Sequence, residues 1–429
     1  MRTPKIPTKS IKILAISLLL AGLAAAGAAP AASAATARTV PAAPAAPAGP
    51  AAPAGLSGLS GLFAPGQRFT SQGLYGVAAQ SATKAWVVGN TTAGHAVFEY
   101  GPPWVPEPHV PAFPAGTQSY LQGVAAIPPA NSLALAAGYT VKGGTATGLI
   151  GIGNTAHWST LYSGPADSYL FGVAATSPTN AWAVGYTVSG TSATPLILHG
   201  TGPGLTTWTP VTSLPVYGTV SHLYGVAATA AGDVYAVGDT QNTPSAPVRT
   251  LIYHSSGGPW TRMPSPPAFN SLNDSTLFGV AATTASYPVK VWAVGGSDTN
   301  GNTQALILGL SGGAWHQVPA ASITFLGSPF DSAILGVSFV PVPPTGAANP
   351  YVWAVGGAGI ASDTYETVIL RHYVYSSGWN QVASPNPGPS NFLQGVSAFS
   401  PTSAWAVGNR TGGNNFVIER WSPSSPPWT

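Results

Sequence analysis

The 429-residue sequence contains no cysteine. Disulfides are excluded as a source of stability, and no thiolate is available as nucleophile or metal ligand. Charge is nearly as scarce: Asp, Glu, Lys and Arg make up 6% of the chain. So thin a charge leaves no basic patch for nucleic acid or an anionic membrane surface. Acids are also too few for a site built on several calcium ions. No stretch of the repeat region described below keeps a helical period. Sialidase-type Ser-x-Asp-x-Gly-x-x-Trp boxes, clustered arginines and Gly-x-Ser-x-Gly nucleophile elbows are missing.

What the chain does have is one phrase, said seven times. It centres on Gly76, Gly123, Gly172, Gly225, Gly279, Gly336 and Gly395, each followed by Val and preceded two residues earlier by Leu or Ile. The spacing between these glycines grows from 47 to 59 residues. Repetition at this period means a repeat architecture. Each repeat holds four short apolar runs divided by turn residues; in the fifth they are Leu277 to Ala282, Val291 to Val294, Ala305 to Leu308 and Trp315 to Val318. Such runs read as antiparallel strands. The predicted fold is all-β: a seven-bladed β-propeller of four-stranded antiparallel blades over residues 61–429. A single blade is too small to bury both faces, so its neighbours must supply the core.

Residue size fits that reading. The Gly-Val phrase consists of small residues, as strands near a crowded axis require. Bulk is placed further out: Trp86, Trp182, Trp292, Trp353 and Trp405 on the second run, and Trp104, Trp158, Trp208, Trp260, Trp315, Trp379 and Trp428 on the fourth, account for all but one of the 13 tryptophans. They are expected to wedge blade against blade. Val291-Trp292-Ala293-Val294-Gly295-Gly296, with Gly312-Gly313-Ala314-Trp315 after it, resembles a kelch repeat, and Tyr351 to Gly357 with Trp379 repeats the pattern. The other five repeats keep the first glycine and the Trp but not the second glycine. As a whole the region resembles secreted bacterial kelch-like propellers with Ala-Trp-Ala-Val-Gly repeats, which implies the fold and leaves the activity open. A copper centre of the galactose-oxidase kind needs a Tyr-Cys cross-link and is excluded by the missing cysteine.

Residues 1–34 read as an export signal: Arg2, Lys5, Lys9 and Lys12, an apolar run from Ile13 to Ala29, then Ala32-Ser33-Ala34 as a cleavage site. The alternative, a retained membrane anchor, has a short and Ala-rich run to work with. Fourteen Lys and Arg less the four in this segment leaves ten against eleven acids, so the mature chain is near −1. Residues 35–60, rich in Ala and Pro, read as an extended spacer. A secreted, extracellular or wall-associated protein is expected.

Chemistry is sparse. His199, His254 and His372 fall directly after the third apolar run, with Arg420 in that place in the last repeat. One per blade around a rim, they stand too far apart for a metal, which needs ligands about 2 Å from one point. Asp298 to Asn302 carries a polar Asn-Gly and reads as a hairpin turn, not a calcium loop. The candidate ligand-binding residues lie five positions before each inner glycine: Ser71, Gln118, Asp167, Val220, Asp274, Asp331 and Ser390, joined by Ser221, His222 and Asn391. They would ring one mouth of the channel. The aspartates there could hold a cation or polar ligand or share protons; alternatively each Asp-Ser pair closes the turn by bonding backbone N–H groups. Loop aromatics Phe113, Tyr162, Tyr217, Phe269, Phe325 and Phe330 could stack on sugar rings. The expected role is a monomeric binding or scaffold module for an extracellular glycan or a protein partner. No catalytic residue, metal or cofactor is assigned. Hydrolysis or elimination on polysaccharide by the mouth acids is the alternative.

Overall fold

The structure, a computed structural model, describes residues 71–421 apart from the segments 107–112, 129–132, 267–273, 284–287, 319–331, 341–350 and 411–415 and some isolated or paired positions. The expected export signal, the spacer and Trp428 lie outside the described residues.

The chain forms a β-propeller of antiparallel sheets, with strands paired in sequence order inside each unit. The units span 71–106, 117–166, 168–210, 220–262, 275–317, 332–382 and 391–421, here blades 1 to 7. Blades 3 and 4 are joined through one parallel pairing, Ala193 with Val220. Blade 7 shows three strands among the described residues and the others four. In the fifth repeat the strands run Ser275–Ala282, Val291–Thr299, Asn302–Ser311 and Ala314–Gln317, so the apolar runs mark their centres. Thr299 pairs with Asn302, which makes the Asp298 segment the end of a hairpin, as its sequence predicts.

The repeated glycine marks where the inner strands touch. A Cβ on Gly123 would lie 2.4 Å from the carbonyl oxygen of Phe171, and one on Gly172 2.8 Å from that of Tyr224. The same contact passes from Gly225 to Phe278, Gly279 to Leu335, Gly336 to Gln394, Gly395 to Tyr75 and Gly76 to Gln122, so the circuit returns to its start. Each accepting residue is also the one skipped by a register shift in its first strand. A bulge here bends the strand and re-aims its backbone.

Side-chain hydrogen bonds close the same circle. Ala398 N–H donates to Ser338 Oγ at 3.1 Å across blades 6 and 7, and Ala79 N–H donates to Ser397 Oγ at 3.0 Å across blades 7 and 1. Leu74 N–H donates to Asn409 Oδ1 at 3.0 Å.

Further out the tryptophans wedge as expected. Trp104 meets Trp405 at 5.7 Å, Trp260 meets Trp182 at 5.5 Å and Trp379 meets Trp292 at 5.1 Å, each edge to face with the preceding blade. The remaining tryptophan, Trp421, packs on Trp353 at 5.1 Å. Among the described residues the indole N–H groups of Trp104, Trp158, Trp208, Trp292, Trp315, Trp379 and Trp405 are buried without a hydrogen-bond partner, so these rings serve packing. Burying an aromatic of this size removes about 200 Å² from water, on the order of 4–6 kcal/mol.

Candidate functional site

One position per blade decides where this propeller differs from itself. Directly before the bulge, a first-strand residue pairs with the residue that follows the Ala-Val-Gly glycine of the second strand. The pairs are Gly73–Asn90, Tyr120–Tyr139, Tyr169–Tyr186, His222–Asp239, Thr276–Gly296, Ala333–Gly357 and Phe392–Asn409. Gly296 and Gly357, the second glycines of the kelch-like phrase, thus occupy the place taken by Tyr139, Tyr186 and Asp239 elsewhere. At Gly357 the missing Cβ leaves room for the ring of Phe392, 2.4 Å away from where it would lie.

In blades 2 to 4 these pairs merge into one aromatic arc. Tyr120 stacks on Tyr139 at 5.0 Å, Tyr139 meets Tyr169 edge to face at 5.0 Å, Tyr169 stacks on Tyr186 at 5.1 Å, and Tyr186 meets His222 edge to face at 4.4 Å. Phe171 and Tyr224, from the bulges, pack behind it at 5.5 Å from each other. Burial raises the pKa of the Tyr120, Tyr139, Tyr169 and Tyr186 phenols, so all four are neutral donors at ordinary pH.

The arc ends on an ordered polar cluster. His222 Nδ1 lies 2.8 Å from Asp239 Oδ1. Thr276 of blade 5 donates its hydroxyl to Asp239 Oδ2 at 3.1 Å, and Tyr224 donates to the same oxygen at 3.5 Å. Asp239 is 6% exposed, so it is a buried carboxylate held by three side chains. Ser221, next in sequence to His222, turns the other way: its hydroxyl partners are the Tyr217 carbonyl and Thr240 Oγ1. The arrangement therefore contains no Ser-His-Asp relay.

The mouth residues expected from the sequence come two positions before the first-strand members of these pairs in the chain. Gln118 is exposed, and its Oε1 accepts from the Tyr120 hydroxyl at 3.2 Å. Asp167 is exposed, with φ +55°, and its backbone is fixed by Ala146 O and Val188 N–H. Asp274 is half-buried; its Oδ1 accepts from Val248 N–H at 2.8 Å and its carbonyl accepts from Asp298 N–H at 2.7 Å. Desolvation raises the Asp274 pKa. The Val248 N–H opposes that rise, Asp298 and Asp239 add to it, and Arg249 opposes it. Ser390 Oγ accepts from Tyr365 N–H at 3.1 Å. Asn391 bonds both ways with the Gly388 backbone. Ser71 opens blade 1 opposite Thr91. Asp331 lies outside the described residues. Asp274 and Ser390 thus bond backbone N–H groups of the preceding blade, 26 and 25 residues back in the chain, and these bonds do not close a local turn.

Three of the five serines that follow mouth positions clasp the preceding blade. Ser119 Oγ accepts from Ala96 N–H and Ser168 Oγ from Gly148 N–H, each at 2.8 Å, and Ser332 Oγ accepts from Ala305 N–H at 3.2 Å. Of the expected set, the structure brings His222 onto Asp239, with Asp274 near enough to interact electrostatically with Asp239, and sets Gln118 against Tyr120 and Asp167 near Tyr169. Sequence reasoning missed Tyr139, Tyr186 and Asp239. The signal was the residue after each Ala-Val-Gly glycine, examined only where it was a second glycine.

Two other expectations change. His199 and His254 are equivalent, opposite Trp182 and Tyr235, but His372 is not: Arg371 faces Trp353, and His372 pairs one residue on with Val352. A one-residue step in a strand reverses the face. His199 stacks on Trp182 at 3.9 Å and His254 on Tyr235 at 4.4 Å, while Arg371 and Arg420 lie over Trp353 and Trp405, each at 5.6 Å. This place holds a planar cover for a second-strand ring. His372 is buried between blades, with Nδ1 donating to Gly378 O at 2.9 Å, and burial lowers its pKa. Among the described residues no three His, Asp or Glu converge on a metal position. The loop aromatics form no common platform: Phe113 and Tyr162 pack against core clusters, Tyr217 is exposed under Arg262, and Phe269, Phe325 and Phe330 lie outside the described residues.

No family model matches the chain, and no curated protein matches it. Among solved structures it is similar to YCF48 from Cyanidioschyzon merolae (14% identity over 83% of this chain and 98% of that one, TM-score 0.48). It is similar to an ulvan lyase of a polysaccharide lyase family (8%, 83% and 96%, TM-score 0.49). A further likeness is to the Aleuria aurantia lectin in complex with a methyl fucoside (13%, 75% and 98%, TM-score 0.41). These are β-propellers, and likeness at this level says nothing of ligand or activity.

Proposed function

We propose that the chain is a secreted, kelch-like, non-catalytic binding propeller whose ligand is a neutral extracellular glycan. The observation that carries this reading is the arc from Tyr120 to His222. Its rings are fixed by mutual packing and by Asp239, so little ordering is left for binding to impose. Its phenols are neutral, and the chain has 6% charged residues, which favours an uncharged ligand. The part-exposed rings of Tyr169 and Tyr186 are electron-rich and receive the apolar C–H face of a sugar ring, with Tyr120 and Tyr139 buried beside them, while Gln118, His222 and the Tyr169 and Tyr186 phenols supply hydrogen bonds around it. In this reading residues 1–34 export the chain and 35–60 hold a monomeric propeller away from the envelope.

The test is a binding screen of the purified protein against soluble oligosaccharides and insoluble cell-wall polymers. Tyr169→Ala should weaken the glycan hit about tenfold or more, on the scale of a binding hot spot. Equal binding by Tyr169→Ala and the unaltered chain sinks the proposal.

A second reading, catalysis on the same polymer, rests on Asp274 and the His222–Asp239 pair as neighbouring acid and base groups. It requires release of new reducing ends or unsaturated products from a bound polymer, and loss of that release in Asp274→Asn.

A further inference from the structure

The His222–Asp239 pair does more than end the arc. Resting on the glycan reading above, we propose that His222 Nε2 is the hydrogen-bond acceptor that selects a hydroxyl of the bound sugar.

The argument starts from which nitrogen carries the proton. Asp239 Oδ1 lies 2.8 Å from His222 Nδ1, and Asp239 Oδ2 is occupied by the Thr276 and Tyr224 hydroxyls, both donating. A carboxylate that receives these bonds acts as an acceptor, so the hydrogen between Asp239 and His222 belongs to Nδ1. In the neutral ring Nε2 then keeps its lone pair. The tautomer is assigned by this network.

Among the described residues Nε2 has no hydrogen-bond partner, and the His222 side chain, 19% exposed, packs edge to face with Tyr186. Everything else on the arc is an aromatic face or a phenol. A lone acceptor, pinned by a buried carboxylate and an edge-to-face ring contact, fixes a hydroxyl donor in one place. Orientation of a working imidazole by a carboxylate on its far nitrogen is a general device of binding and catalytic sites. The same pairing serves metal sites, but among the described residues no third ligand converges there.

The groups around the pair set what the ligand offers. Tyr224 on its own blade, Tyr186 from blade 3 and Thr276 from blade 5 touch it, and the Asp274 carboxylate interacts electrostatically with Asp239. Two carboxylates disfavour an anionic ligand, and a sugar hydroxyl is the uncharged donor that suits Nε2.

The experiment uses the whole protein with ¹⁵N-labelled histidine and ¹³C-labelled tyrosine, titrated with cellotetraose, chitotetraose and β-1,4-galactotetraose. The expected result is a free His222 spectrum of the Nδ1–H form, and a shift of Nε2 but not Nδ1 on adding the saccharide that binds. His222→Phe keeps a planar ring beside Tyr186 and should lower affinity about tenfold. Asp239→Asn should change the tautomer pattern, and it tests the same point if His222→Phe fails to fold. A saccharide that moves the tyrosine signals and leaves His222 untouched overturns this inference while the glycan reading stands. If none of the three saccharides moves either set of signals, the glycan reading falls with it.

Discussion

A Cβ added to Gly395 would stand 3.0 Å from the carbonyl oxygen of Tyr75, although the two residues belong to the last and first blades of the chain. The contact is the same one that Gly336 makes with Gln394 and Gly279 with Leu335. Ring closure is thus continuous at the axis: no blade boundary there differs in kind from the others.

Glycine substitutions should follow this geometry. At Gly138 a Cβ would meet Tyr120 O at 1.9 Å, so Gly138→Ala forces the bulge apart and should destabilise the protein by roughly 3 kcal/mol or more, in the range of severe backbone clashes. At Gly258 nothing lies within 4 Å, so Gly258→Ala should stay within about 0.5 kcal/mol of the parent. Denaturant midpoints of the two variants check the contrast.

The wedge tryptophans give a second test. Trp379 is 3% exposed and sits against Trp292 and His372. Trp379→Ala should cost about 3–5 kcal/mol, as large-to-small changes of buried aromatics do. Trp379→Phe should cost distinctly less, since part of the contact survives and no buried hydrogen bond of the indole is lost. Thermal unfolding of both variants reads the difference.

The glycines and tryptophans were legible because the axis and the blade boundary admit few residue types, so each repeat reuses them. The aromatic arc was not, for a geometric reason. Counting strand partners inward from Gly225–Val237 without a bulge sets Leu223 opposite Asp239; the bulge at Tyr224 moves the register by one and brings His222 there instead. A hydrophobic pattern carries no mark of that shift. The alignment of His372 with His199 failed similarly, because residue type was matched where strand register decides the face. The Asp-Ser pairs were readable as local turn chemistry, yet only the fold shows that Ser168 accepts from Gly148 and Asp274 from Val248, each in the preceding blade.

Stability should depend on pH through Glu419. This carboxyl is 2% exposed, with the Ser384 hydroxyl donating to it at 3.2 Å. Burial lifts its pKa from 4.5 to about 8, against the smaller opposing effect of Ser384. The folded state therefore keeps a proton that the unfolded state has already released between those two values. Its contribution to stability is complete below about 4.5 and is lost as pH climbs to about 8. The loss is on the order of a few kcal/mol. Glu419→Gln should remove this slope from unfolding measured across the same window; an unchanged slope contradicts the assignment.

The two rim aspartates should separate. Asp274 accepts a backbone hydrogen bond from Val248, and Asp274→Ala should cost about 1–3 kcal/mol, the penalty of leaving a buried donor unmade. Asp167 holds φ +55° in an exposed turn, where glycine is at ease. Asp167→Gly should leave stability unchanged or raise it slightly. Chemical denaturation of the two variants decides between a shared and a divided role.

The central claim is that the arc from Tyr120 to His222 is where this propeller meets its ligand. A crystal structure with the tightest-binding oligosaccharide of the screen tests it most directly. The account predicts sugar density over Tyr169 and Tyr186, with a hydroxyl within hydrogen-bond reach of His222 Nε2. Density on the outer rim, between other blades, or at the far end of the channel contradicts it.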